Sequence, residues 1–226
     1  MNTRAEIKEN IEKALQAADG RARVLLATKT VPAELINYAV TCGTNLIGEN
    51  RVQELLEKYD ALDKDKMEIH FIGHLQTNKV KYIIDKVSMI HSVDSIPLAK
   101  EIEKQAAKRG ITMKVLIEVN IGNEPGKSGI PFEETETFLE ALEEFPHLLP
   151  CGLMVIPPKR EFPEENLHFF EKIYQKFIDI RTKKEDNKNW AVLSAGMSGD
   201  YAEAISCGSN LIRLGSFVFG ARSYPT

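Results

Sequence analysis

Lys29 closes a run of apolar and small residues, Val24-Leu-Leu-Ala-Thr-Lys29, before Thr30, Val31 and Pro32 end it. The pattern predicts a short buried strand with an amine at its carboxyl end. Burying an ammonium is costly, so such a lysine takes a partner, snorkels to the rim, or gives up its proton. A neutral amine in a dry pocket is a nucleophile towards aldehydes, the chemistry of Schiff-base lysines. Far along the chain, Ser194-Ala-Gly196-Met-Ser198-Gly199 leads from an apolar run towards a helix starting near Asp200, and Arg213-Leu-Gly215-Ser216 ends another run. Glycines let backbone N–H groups approach an anion, a helix start adds its dipole, and Ser198 adds a hydroxyl donor. Gly215 and Ser216 would close the other side. Tight turns alone would also account for these glycines. As an N-cap, Asp200 would aim at the same amides, so it must face away from any phosphate. Arg213 should project from its strand end, where it can pair with Glu118 or face an aromatic nitrogen. An amine, an anion cradle and a pyridine-nitrogen partner together describe a site for pyridoxal phosphate (PLP).

Such groups need a frame, and the hydrophobic pattern supplies one. Thr3 to Ala18 reads as an amphipathic helix, with Thr3 and Glu6 as a capping box and Gly20 as the stop. Short apolar runs follow at Val24–Ala27, Leu46–Ile47, Ile69–Ile72, Val87–Ile90, Val115–Val119, Gly152–Val155, Ala191–Leu193 and Leu211–Leu214. They lack polar alternation, as expected of parallel strands covered on both faces. Helices are predicted over Pro32–Cys42, Asn50–Tyr59, Asn78–Asp85, Ser95–Arg109, Glu133–Glu144, Pro163–Lys183 and Asp200–Cys207, whereas Ser216–Ala221 leaves little room for a last one. Eight strand–helix units over 226 residues predict an α/β chain, residues 1–226 forming a single (β/α)8 TIM barrel with an extra N-terminal helix. A doubly wound open sheet is the alternative, although no Gly-x-Gly-x-x-Gly follows the first strand.

In such a barrel the chemistry gathers at the carboxyl ends of the strands, and phosphate often binds between the seventh and eighth. There lie Lys29, Gly48-Glu-Asn50, Gly73-His74-Leu-Gln76, His91-Ser-Val-Asp94, Asn120, Met154, Ser194 and Arg213. Mostly small and uncharged, with one lysine and one arginine, they suit an organic phosphate better than a divalent metal. His74 is a candidate base or an ordinary structural histidine. Gly122-Asn-Glu-Pro-Gly-Lys127-Ser-Gly129 lacks Walker spacing and reads as a mobile loop over the mouth, with Lys127 a second amine.

Composition narrows the field. The chain is 43% hydrophobic and 27% charged with a formal charge of -4, which leaves no footprint for nucleic acid or an anionic membrane. Stretches such as Lys183-Lys-Glu-Asp186 read as solvated faces. Cys42, Cys151 and Cys207 have neither disulfide-framework nor zinc spacing. Without a signal-like start or a spanning apolar run, the expectation is a cytoplasmic monomer.

Several motifs together resemble the YggS/PROSC family of pyridoxal phosphate homeostasis proteins. They are Leu26-Ala-Thr-Lys-Thr30, Gly48-Glu-Asn-Arg-Val-Gln53, His70-Phe-Ile-Gly-His-Leu-Gln-Thr-Asn-Lys79, Lys127-Ser-Gly129, Gly152-Leu-Met154, Leu193-Ser-Ala-Gly-Met-Ser198 and Arg213-Leu-Gly215. The resemblance implies a barrel of the alanine racemase type with PLP in Schiff-base linkage to Lys29. It also implies that Asn50 lies near the ring, that Ser198, Gly199, Gly215 and Ser216 hold the phosphate, and that Arg213 faces the pyridine nitrogen. Met154 and Ser194 complete the expected cofactor-binding set, with no catalytic residue assigned. Some members carry a second lysine where this chain has Val31. The implied function is intracellular PLP homeostasis without significant turnover, with apo PLP-dependent enzymes as candidate recipients. A PLP-dependent amino-acid racemase is the alternative. It would need a base on each face of a carbanion, and neither Tyr201 nor Tyr224 is well placed, while Tyr38, Tyr59, Tyr82 and Tyr174 fall in predicted helices. A lysine aldolase acting on a sugar phosphate would share Lys29 and the cradle but not Arg213.

Overall fold

Strands of Val, Ile and Leu need cover on both faces, and this chain provides it by rolling a parallel sheet into a cylinder wrapped in helices. The computed structural model of the chain describes residues 1–183 and 189–221; Tyr224 and residues 184–186 lie outside them. In order the elements are α1 (Arg4–Ala18), β1 (Arg23–Ala27), α2 (Ala33–Ala39), β2 (Leu46–Glu49), α3 (Val52–Tyr59), β3 (Glu68–Phe71), α4 (Val80–Ile83), β4 (Met89–Val93), α5 (Ile96–Arg109), β5 (Met113–Asn120), β6 (Ile130–Pro131), α6 (Thr135–Leu142), β7 (Leu148–Val155), α7 (Leu167–Lys183), β8 (Val192–Met197), α8 (Tyr201–Ser206), β9 (Leu211–Leu214) and α9 (Ser216–Phe219). The strands run β4-β3-β2-β1-β9-β8-β7-β5, and a β4–β5 pairing closes the ring. Every pairing is parallel. The two-residue β6 is an addition to the end of β5. The closure gives the expected eight-stranded barrel and removes the open-sheet alternative.

Alternation along each strand sorts the side chains. On β1, Val24 and Leu26 join the large outer core with Ile7, Ile11 and Ala14 of α1. Leu25 turns inward to Leu46, Ile72 and Leu211, and a second interior cluster holds Met89, Leu116, Cys151 and Met154. α1 begins with the capping box read from its sequence, Thr3 N–H donating to Glu6 Oε2 at 2.7 Å and Glu6 N–H to Thr3 Oγ1 at 3.3 Å. Its left-handed end is Asp19, with Gly20 following in the same region. α1 also resolves the shortage at the carboxyl end. The backbone and side-chain amides of Asn2 donate to the carbonyls of Phe219 and Val218 at 2.9 and 3.0 Å, so the first residues cap the four-residue α9.

Strand bounds differ from the sequence expectation in several places, and two of the differences matter for function. β8 does not stop at Leu193 but continues through Ser194, Ala195 and Gly196 to Met197. Small residues there tolerate burial, and Gly196 absorbs an irregular register at φ 91°. β4 begins at Met89 and runs to Val93, which carries His91 and Ser92 into the interior rather than onto a loop.

Candidate cofactor site

The ends of β1, β2, β8 and β9 surround a cavity of about 320 Å³ at the carboxyl mouth, within the range of roughly 300–1,000 Å³ usual for small-molecule sites. Lys29, Asn50, Ser198, Gly199, Arg213, Gly215 and Ser216 line it, together with Ala27, Ile72, Ile156 and Met197. Among the described residues two cations and no carboxylate reach the lining, an arrangement suited to an anionic ligand. Among the described residues no group of His, Cys, Asp and Glu is arranged to hold a metal ion.

Lys29 is half-buried in a turn just beyond the carboxyl end of β1. The turn closes through Val31 N–H to the Thr28 carbonyl at 3.0 Å. Thr30 takes a left-handed conformation at φ 63°, which costs a residue with a side chain roughly 1 kcal/mol. Glu54 accepts the Thr30 N–H and compensates locally. Beneath the turn lies an ion pair that sequence reading missed. Lys58 Nζ donates to Glu49 Oε1 and to the Thr28 carbonyl, both at 2.8 Å, and lies 2.9 Å from Glu54. Thr28 Oγ1 donates to the same Glu49 oxygen at 2.5 Å. Glu49 is fully buried, and burial raises its pKa against the pull of Lys58. The spacing of Glu54 and Lys58, four apart along α3, was a visible signal for this support.

Across the cavity, the amides of Gly215 and Phe217 both point at Ser198 Oγ, at 3.2 and 3.1 Å. The converging donors come from the β9–α9 turn, which sequence reasoning gave as the second side of the cradle beside the start of α8. With only six residues, α8 contributes little dipole. Asp200 faces away from the cradle as required: its Oδ1 accepts Met197 N–H at 2.7 Å and its Oδ2 accepts from Asn166 at 3.1 Å. At Gly199 an added Cβ would meet nothing within 4 Å, so the backbone there borders open space.

Asn50 gives a direct test of whether a polar ligand fits. Among the described residues its Oδ1 is buried without a hydrogen-bond partner, a costly state that a ligand donor would relieve. Gly73 locks this residue in place, since a Cβ at Gly73 would sit 2.1 Å from the Asn50 carbonyl oxygen. The amine, the paired amides, the orphaned acceptor and the arginine match the functional groups of PLP.

Arg213 forms the floor. Its Nη1 donates to Ser194 Oγ at 2.6 Å and its Nη2 to the Val155 carbonyl at 2.9 Å. Burial lowers its pKa to about 10, so the guanidinium stays charged at neutral pH. Glu118, the partner considered from sequence, acts on Arg213 through its charge but lines an adjoining cleft with Asn120, Lys127 and Ser128. Burial, and then Asp94, push the Glu118 carboxyl up to about 7 against the pull of Arg213.

The remaining sequence candidates lie elsewhere. Ser194 and Met154 are fully buried in β8 and β7 and do not line the cavity. Lys127 pairs with Glu124 and borders the neighbouring clefts. Its loop is tied down by Asn120, which donates to the Glu124 carbonyl at 2.9 Å and accepts Glu124 N–H at 3.1 Å. Exposed His74 meets Ser128 Oγ at 3.4 Å, outside the cavity. No tyrosine among the described residues lines the cavity; Tyr201 instead packs on Phe217 with ring centroids 5.3 Å apart. No helix of the described residues is long and apolar enough to cross a membrane.

The chain is similar to known proteins in sequence and fold. The family described as alanine racemase, N-terminal domain, matches residues 3–223. A pyridoxal phosphate homeostasis protein of Aquifex aeolicus is 44% identical over 223 residues, covering 97% of each chain. The solved structure of PipY from Synechococcus elongatus PCC7942 with PLP bound aligns with a TM-score of 0.83 at 28% identity, covering 95% of this chain and 100% of that one. Alanine racemase from Corynebacterium glutamicum shares the fold at 17% identity, with a TM-score of 0.71 over 98% of this chain and 62% of its own.

Proposed function

The chain belongs to the pyridoxal phosphate homeostasis proteins, built on the alanine racemase N-terminal domain, and from that premise we propose that it binds PLP through a Schiff base on Lys29 and buffers the cofactor within the cytoplasm. The observation that carries this reading is one cavity collecting Lys29, Asn50, Ser198, Gly199, Arg213, Gly215 and Ser216 from four strand ends. PLP supplies an aldehyde for the amine, a phosphate, and an electron-withdrawing ring. Lys29 provides the covalent tether. Ser198, Gly199, Gly215 and Ser216 hold the phosphate, the Gly215 and Phe217 amides orienting the Ser198 hydroxyl from behind, and Asn50 Oδ1 accepts from the ring hydroxyl.

Arg213 favours holding over turnover. A permanently charged donor at the ring nitrogen keeps that nitrogen unprotonated, which weakens the ring as an electron sink. A racemase also needs a second base, and no tyrosine among the described residues reaches the cavity. On this reading the protein is a carrier, a monomer with a single domain over residues 1–226, that releases PLP to apo PLP-dependent enzymes.

Titrating cofactor-free protein with PLP tests the proposal. Wild type should develop a visible Schiff-base band that Lys29→Ala abolishes; a full band in the variant would move the linkage elsewhere. Racemisation of L-alanine at about 1 per second or faster, the usual range of enzymes, would favour the racemase.

A further inference from the structure

The barrel interior carries polar groups that lie below the cavity lining. His91 on β4 and His70 on β3 are both fully buried. Their rings meet, with His70 Nδ1 2.8 Å from His91 Nε2. On one side His70 Nε2 lies 3.0 Å from Glu68 Oε1. On the other, His91 Nδ1 lies 3.3 Å from Ser194 Oγ, the atom that accepts from Arg213 Nη1. One unbroken chain of hydrogen bonds thus crosses the barrel from a carboxylate to the guanidinium at the floor of the cavity.

The ends of the chain fix its direction. The hydrogen bond from His70, reinforced by Arg23 at 2.7 Å, holds the Glu68 carboxyl well below the usual carboxylate range. A carboxylate only accepts, so His70 carries its proton on Nε2 and presents a lone pair at Nδ1. His91 then donates from its own Nε2 and leaves Nδ1 to accept the Ser194 hydroxyl proton. That turns the Ser194 lone pairs towards Arg213. Burial keeps both rings neutral, aided at His91 by His70 and Arg213; at His70 it outweighs the pull of Glu68, with Arg23 and Lys114 acting on the same side as burial. Reversing a single link would set donor against donor or lone pair against lone pair in a dry interior.

We infer that Ser194 and His91 are positioning residues for Arg213, holding its guanidinium from beneath the cofactor cavity, and that His70 and Glu68 set the direction of the chain from the opposite side of the barrel. The inference rests on the proposed PLP site only for what Arg213 meets above it. Ser194 and the Val155 carbonyl together fix the plane of the guanidinium. Without the hydroxyl one tether remains and the plane can rotate.

Two measurements test this separately from the cofactor reading. In cofactor-free wild-type protein, nitrogen-15 spectra of the histidine rings at neutral pH should show His70 and His91 neutral with the proton on Nε2. A proton on Nδ1 of either ring, or a charged ring, overturns the chain. In loaded protein, Ser194→Ala should weaken PLP retention about 10-fold, the order expected for a hydrogen bond to a charged group. It should also shift the visible band while borohydride still fixes the cofactor on Lys29, and Ser194→Thr, which restores the hydroxyl, should recover both. Unchanged retention and band in Ser194→Ala would overturn the positioning role and leave the cofactor reading standing. If wild type takes up no PLP, the cofactor reading fails and the chain is judged on the ring tautomers. Should Ser194→Ala not fold, Glu68→Gln probes the chain from its far end, where the side chain is 29% exposed. It should move the ring resonances of both histidines; a change confined to His70 overturns the coupling.

Discussion

Glu118→Gln should stabilise the cofactor-free protein at alkaline pH and leave it nearly unchanged in acid. Glu118 is 7% exposed, and its carboxyl is pushed from 4.5 to about 7 by burial and by Asp94, against Arg213. Below pH 4.5 the folded and unfolded chains both hold the proton, and the carboxyl makes no pH-dependent contribution. Between 4.5 and about 7 the unfolded chain releases it while the folded chain keeps it, so stability falls as pH rises, by about 1.4 kcal/mol per pH unit. Above the folded value both are ionised and the full penalty, about 3 kcal/mol for this shift, is present. The amide cannot ionise and escapes it. Urea unfolding of both proteins across this range should show a gap opening from near zero in acid to about 3 kcal/mol above pH 7. A gap independent of pH would refute the reasoning, because it would place Glu118 in water or in a tight ion pair with Arg213.

Further substitutions test the supports of the cavity. Lys58→Met strands a fully buried Glu49 and frees the Thr28 carbonyl, and should cost about 3 kcal/mol in unfolding free energy while slowing Schiff-base formation at Lys29; full stability in urea would show that the pair does not hold the turn. Gly73→Ala drives a methyl against the Asn50 carbonyl and should cost about 2 kcal/mol and weaken PLP retention, both measurable on one purified variant. Ser198→Ala combined with Gly215→Asp should weaken retention of PLP, read by dialysis against buffer; unchanged affinity would count against the cradle.

The frame was legible because its signals are local. Val24 to Ala27, Val115 to Val119 and their counterparts declare doubly covered strands by composition alone, and Thr3 with Glu6 announces the first helix. Lys29, Ser198, Gly215 and Arg213 stood out because amine, hydroxyl, glycine and guanidinium sit at strand ends, and the barrel brings them to one cavity. What escaped was burial depth. Ser194 and His91 look like loop residues when polarity is taken to mean exposure, yet β8 and β4 carry them inside, where each is satisfied by the other. The Glu49–Lys58 pair was hidden for a similar reason: its partners come from a strand and a helix, and only closure of the β2–α3 unit shows that both lie under the Lys29 turn.

The central claim is a covalent bond at one lysine, and borohydride reduction of PLP-loaded protein followed by peptide mapping reads it directly. The expected result is a single reduced adduct on the peptide containing Lys29, absent from Lys29→Ala. An adduct on the Lys127 peptide in wild type, with Lys29 unmodified, would contradict the account.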